Sequence, residues 1–225
     1  MSIRYVLGSR ASIGGPLGSG RGGAAAAWYL AGGVSAANCV AAYQPIGAVS
    51  LAASYVNLAN PGTYDAVEIV APNFNTATGW TFTGSQNVDA GYIPQSTDTI
   101  IVRFANAVKQ YIGFYASATL NISMTPYRGD GDNLRNYYHG TFRSFSPGYA
   151  NCVMAIAGVN FYLNGVAESL AGTTITTNTT TFGFGRRNGA AVVYYQGDIV
   201  AAAIYNVTLD AATVAAISTA MAALA

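Results

Sequence analysis

The sequence predicts an all-β, antiparallel fold, a sandwich or a barrel rather than a parallel sheet. Three observations carry this. Strand-like runs recur at intervals of about 8 to 12 residues with turn residues between them and no helical pattern intervening. The run "DTIIVRFA" alternates, with Ile100, Val102 and Phe104 on one face and Ile101 and Arg103 on the other, as a strand with one core face requires. Asn-Gly pairs sit where hairpins should close. Asn164-Gly165 ends "NFYLNGVAES", and Asn188-Gly189 lies between "TFGFGRR" and "AAVVYYQGDIVAAAIY". Both central residues of such a turn want positive φ, which favours that dipeptide. Further strands are expected in "KQYIGFYAS", "ATLNISMTP", "NYYHGTF", "ANCVMAIAG" and "VNFYLNG", and strand-like composition persists from Asn38 to about Asn206.

The two ends read differently. Residues 1–33 hold glycine at 8, 14, 15, 18, 20, 22, 23, 32 and 33, and every charge there is an arginine: Arg4, Arg10 and Arg21. Such a segment buries too little apolar surface to offset its backbone entropy alone. It is either a tail or an arm that orders against a partner through Arg4, Tyr5, Arg10, Arg21, Trp28 and Tyr29. Residues 34–225 then form one domain. At its end "VTLDAATVAAISTAMAALA" switches to near-helical spacing, so a helix is expected over 209–224, capped by Thr208 or Asp210 and covering one end of the sandwich.

Composition excludes several classes. Of 225 residues, 52% are hydrophobic and 8% charged, where an ordinary domain has about 25% charged. That apolar content supports a core and argues against disorder. A net charge of +1 cannot neutralise a run of phosphates, so nucleic acid is not an expected partner. No apolar stretch is long enough for a membrane span. "MSIRYVLGSR" has no signal-peptide core, so synthesis in a cytosol without an export signal is expected. Cys39 and Cys152 lie in apolar runs and read as buried free thiols, not a disulfide framework. A surface of Ser, Thr, Asn, Gly, Ala and Tyr suits either a protein packed among copies of itself or a β-protein soluble alone.

Tyr162 to Gly165 ("YLNG"), the Phe182 to Gly185 strand ("FGFG"), Gly197 to Ile199 ("GDI") and Ile204 to Leu209 ("IYNVTL") before a helix occur in order. With "CVAAYQP" and "GWTFTGSQNVDAGY" earlier, this series resembles the laminin-G-like, concanavalin-A-like jelly-roll family over roughly residues 38–225. The resemblance implies two antiparallel sheets packed face to face. It also implies a host range of glycan-binding modules, glycoside hydrolases, ectodomain modules and phage or virion surface proteins, among which the fold does not choose. The glycine-rich N-terminal segment and "NLANPGTYDA" look most like the phage-derived members.

Catalytic constellations are sparse. Glycosidases need paired carboxylates, and the two glutamates, Glu68 and Glu168, stand a hundred residues apart, with Asp65 the one acidic residue within five positions of either. His139 is the single histidine, no nucleophile elbow occurs, and two distant cysteines with one histidine do not make a zinc site. An enzyme is therefore not expected. Asp130, Asp132 and Asn133 offer oxygen ligands for calcium, short of the six to eight it takes, beside solvated acids paired with Arg128 and Arg135 as the plainer reading. Arg128-Gly129-Asp130 reads as an adhesion tripeptide or a chance match. Tyr127, Tyr137, Tyr138, Tyr194 and Tyr195 are candidates for stacking on sugar rings or for an interface, against the ordinary use of tyrosine on half-buried sheet faces. The sequons at Asn121, Asn178 and Asn206 read as coincidence. The expected function is a non-enzymatic structural or surface protein of a virion or filament. In it the arm contacts neighbouring subunits in a homo-oligomer or larger assembly. The alternative is a glycan-binding adhesion module.

Overall fold

In the computed structural model the described residues are 27–109, 112–117, 120–126, 134–138, 141–145, 149–168, 179–189 and 193–225. Within them the chain forms β1 (Cys39–Tyr43), β2 (Val67–Val70), β3 (Asn73–Asn75), β4 (Gly79–Thr83), β5 (Asn87–Asp89) and β6 (Thr99–Lys109). Then follow β7 (Ile112–Ser117), β8 (Leu120–Thr125), β9 (Leu134–Tyr138), β10 (Thr141–Phe145), β11 (Cys152–Ala157), β12 (Asn160–Leu163) and β13 (Val166–Glu168). The last strands are β14 (Gly183–Phe184), β15 (Arg186–Gly189), β16 (Val193–Tyr194) and β17 (Gln196–Tyr205). A one-turn helix α1 (Leu51–Ser54) and the C-terminal helix α2 (Ala211–Ala222) complete the order. The protein is an antiparallel jelly-roll sandwich with a short C-terminal helix, as the sequence predicts.

Two sheets make the sandwich. The first runs β13-β12-β11-β6-β17-β4-β3, and β1 joins the same edge of β17 beyond β4. The second runs β10-β9-β8-β7-β14-β5-β2, with β15 beside β7 and β16 beside β15. The β15–β7 contact is parallel; the other pairs are antiparallel. Between the sheets lie Tyr43, Trp80, Phe82, Phe104, Phe161, Phe182, Phe184 and Tyr195, each at most 2% exposed. Their rings meet edge-on or tilted, as at Tyr43–Phe184 with centroids 5.6 Å apart.

A third layer lies outside the first sheet. There β17 presents Ala201, Ala203 and Tyr205, β6 presents Ile101, and α2 covers them with Val214, Ile217 and Met221. The expectation that the helix closes one end of the sandwich is thus corrected: it lies on a sheet face. Alanines on β17 leave room for it, and an apolar strand centre buried on both faces requires such a cover. Asp210 caps the helix, its side chain accepting from the Thr213 amide at 2.8 Å, and these bonds hold its carboxyl below the usual range. Arg103 on β6 closes the other end, donating from Nη1 to the Met221 carbonyl at 3.0 Å and the Leu224 carbonyl at 2.6 Å.

Two further expectations need correction. Trp28 and Tyr29 do not reach away from the domain; they sit in a 3₁₀ turn, Trp28–Gly33, packed on α2 of the same chain. Trp28 is 8% exposed and donates its indole N–H to Gln44 Oε1 at 2.9 Å, and Tyr205 donates its hydroxyl to the Tyr29 carbonyl at 2.8 Å. An indole of that size gains more by burial beside Val214 and Met221 than in solvent. Arg4, Tyr5, Arg10 and Arg21 lie outside the described residues. Asn188-Gly189 is not a turn either. It is strand β15, with Arg187 opposite Val193, because the Asn188 side chain is drawn inward by bonds described below. Asn164-Gly165 does turn, at φ 51° and 80°, between Leu163 and its partner Val166.

Trp28→Ala removes the indole from this outer layer and is expected to lower the unfolding free energy by about 3 kcal/mol. Urea denaturation of the two proteins measures it. A loss below about 1 kcal/mol would mean that the turn is not part of the folded unit.

Candidate functional site

One row of residues crosses the second sheet: Tyr137, Ser123, Gly113, Gly183, Asp89 and Val67 stand opposite one another in register from β9 to β2. Ile122 and Met124 on either side of Ser123 belong to the inter-sheet core, so this row lies on the outer face. Two glycines at its centre leave a trough without side chains. Over it lies Asn188, whose Oδ1 stands 2.7 Å from where a Gly183 Cβ would be. That approach, rather than any unusual φ, demands glycine at 183.

Asn188 is 4% exposed and ties the face together. Its Nδ2 donates to Asp89 Oδ2 at 3.0 Å, and its Oδ1 accepts from Arg186 Nε at 2.8 Å. Asp89 Oδ2 also accepts from the Thr181 hydroxyl at 2.6 Å, and its Oδ1 from the Gly91 amide at 2.7 Å. Arg186 and Asn188 alternate along β15 onto one side, and Tyr194 stands opposite Arg186 on β16 with 36% of its surface exposed. Asn87, two residues before Asp89 and 1% exposed, has neither amide atom bonded among the described residues. A buried amide without partners is costly. Asp89, Thr181, Arg186, Asn188 and Tyr194 thus form a face of fixed neutral and charged donors and acceptors with an aromatic ring at its margin. Its donors and acceptors are placed to make directional hydrogen bonds, and the ring offers a surface for C–H contact.

Of the residues singled out by sequence, Tyr194 is at this face. Tyr195 is not: it is fully buried, its hydroxyl donating to the Asp198 carbonyl at 3.2 Å, because alternation turns it into the core beside Phe82 and Phe104. Tyr137 shares the row of Ser123, and Tyr138 that of Ile122; their side chains are outside the described residues. Tyr127, Asp130, Asp132 and Asn133, and with them the calcium expectation, also lie outside them. Among the described residues no group of three or more His, Cys, Asp or Glu side chains gathers to hold a metal. Glu68 lies on β2 in one sheet and accepts from the Tyr55 hydroxyl at 2.8 Å, while Glu168 lies on β13 in the other. Sequence reading missed Asp89, Thr181 and Arg186 as site residues, and took Asn188 for part of a turn. The alternation of Arg186, Asn188 and Tyr194 around the β15–β16 hairpin was a signal present in the chain.

No family model matches the sequence, and no curated protein matches it. Solved structures do. Trypanosoma rangeli sialidase in complex with sialic acid superposes with a TM-score of 0.57 at 14% identity, over 84% of this chain and 34% of that one. Domain 4 of AbnA, an extracellular arabinanase of Geobacillus stearothermophilus in complex with arabinotriose, gives a TM-score of 0.55 at 15% identity over 80% of this chain and 98% of that one. Botulinum neurotoxin type C, whose cell entry depends on interaction with two ganglioside molecules, gives 0.50 at 9% over 83% and 52%. The chain spans about a third of the sialidase's length. These likenesses place the chain in the class of β-sandwich domains.

Cys39 and Cys152 are free and buried, one under α2 and the other between the sheets. Burial pushes each thiol up to about 12. Neither is expected to react with a disulfide reagent at pH 8 unless the protein is unfolded, and a colorimetric thiol assay with and without guanidinium checks this. The same shift fixes a sign. The native pKa lies above the unfolded value, so the contribution is complete below pH 9 and is lost as pH rises towards 12.

Proposed function

We propose that this protein is a non-catalytic glycan-binding module whose binding face is the outer surface of the second sheet. One observation carries the reading: Arg186, Asn188, Asp89 and Thr181 are locked into a single hydrogen-bonded array beside the exposed ring of Tyr194. An array held rigidly before a ligand arrives loses little entropy on binding. Arg186 offers a planar fork of N–H donors for a vicinal diol or a sugar carboxylate, and Asp89 offers acceptors for hydroxyl hydrogens. The similar β-sandwich domains include one in complex with arabinotriose and one in a protein that interacts with gangliosides. They support this reading above the expectation of a virion or filament protein. Membership of the laminin-G-like family is part of the same proposal. The separation of Glu68 and Glu168 into different sheets supports a binding rather than a hydrolytic role.

A glycan array carrying arabinan, sialylated and plant-polysaccharide fragments tests it. The wild-type protein is expected to bind at least one class. Arg186→Ala and Tyr194→Ala are each expected to weaken that binding by tenfold or more while the circular dichroism spectrum stays unchanged. Absence of binding across the array overturns the reading, and so does release of reducing sugar from any bound polysaccharide.

A further inference from the structure

The first sheet carries a groove that the function proposed above does not use. It lies on the outer face, where α2 does not extend, and has a volume of about 440 Å³. Thr78, Thr81 and Thr83 line one side, Asn106 and Val108 the other, and Gln196 and Asp198 the floor. At its base Asp198 is 4% exposed. Thr81 donates its hydroxyl to Asp198 Oδ1 at 2.5 Å, and Asn106 donates Nδ2 to Asp198 Oδ2 at 2.7 Å. A carboxylate has about four lone-pair sites, and these donors fill two of them. The remaining sites can accept from the hydroxyl groups of a ligand.

The chain is also shaped to make this place. Asn106 sits at φ 49°, in the left-handed region that a non-glycine residue rarely adopts. The β6–β17 ladder slips at Asn106 itself, between Gln196 and Asp198, and again between Ile199 and Ala201, opposite Phe104 and Arg103. Residues held in sparsely populated conformations at a bulge re-aim side chains and collect at binding sites. Gln196 donates Nε2 to the Thr83 carbonyl at 3.1 Å, and Gln86 donates Nε2 to Thr83 Oγ1 at 2.7 Å, so the groove wall is braced from behind. Val108, 53% exposed, adds an aliphatic surface at the rim.

We infer that this groove is a second saccharide site, in which Asp198 accepts two hydroxyl hydrogens of a sugar ring, the Asn106 and Gln196 amides contact neighbouring hydroxyls, and Val108 meets the ring's C–H face. The inference rests on the glycan-binding reading for its ligand class, but on a different sheet and different residues for its site. A single chain then carries sites on opposite outer faces of the sandwich and joins two glycan chains without any partner subunit.

Amide-resolved NMR titration with arabinotriose and with sialyllactose tests it, together with Asn106→Gly. Glycine adopts φ 49° without strain, so this variant removes the side chain and keeps the fold. Asp198→Asn, which keeps shape and removes the charge, is the second variant. The expected result is a set of shifts at residues 81–83, 106–108 and 196–198 with at least one probe. Asn106→Gly and Asp198→Asn should each weaken these by tenfold or more, and Arg186→Ala should not affect them. Shifts confined to the second sheet, or a groove affinity unchanged in both variants, overturn the inference and leave the proposed function standing. Shifts confined to the groove support it and overturn the assignment of the second-sheet face. No shift with either probe overturns it outright, while the array decides the proposed function separately.

Discussion

Everything else in the molecule is arranged around β17, the ten-residue strand Gln196–Tyr205 that is buried along nearly its whole length. It pairs with β6 on one side and with β4 and β1 in succession on the other. It also faces two different cores, the aromatic one between the sheets and the alanine-lined one under α2. A strand in that position has no solvent face, which explains the run of Ile, Val and Ala that alternation alone would not produce. Its small residues set how near the helix can come. The bulges in its pairing with β6 let one end of the same strand present Asp198 while the other end stays apolar.

The scarcity of charge has a structural counterpart. The acids are held by neutral donors: Asp65 by the Asn57 and Gly62 amides, Asp98 by the Tyr92 hydroxyl and the Gln95 amide, Asp89 by threonine, asparagine and backbone. Bonds of this kind are directional and only weakly screened by salt, unlike surface ion pairs. They fix side chains in place, and a fixed array is what the outer face of the second sheet offers to a ligand.

How far the sequence revealed this depends on the range over which each signal acts. The alternation in β6, the Asn164-Gly165 turn and the Asp210 cap are set by neighbours in the chain and were legible. Asn188-Gly189 carried the same local turn signal. There it was overruled by a bond from Asn188 to Asp89 across 99 positions, which no local pattern encodes. Tyr194 and Tyr195 look alike in sequence, yet one is at a margin and the other in the core; the phase of the strand separates them. Trp28 was grouped with the glycine-rich segment by composition, although its indole belongs with α2. The site itself assembles Asp89 from β5, Thr181 beside β14, and Arg186 and Asn188 from β15, so it exists in space and not along the chain.

The outer layer on the first sheet gives the sandwich two unlike sides. The turn at Trp28 and the helix ending near Ala222 pack against each other on that one face. The Asp89–Asn188 face is on the opposite side. A ligand at the Asp89–Asn188 face and one at the Asp198 groove, which is on the same sheet as the helix, would therefore approach the sandwich from opposite sides.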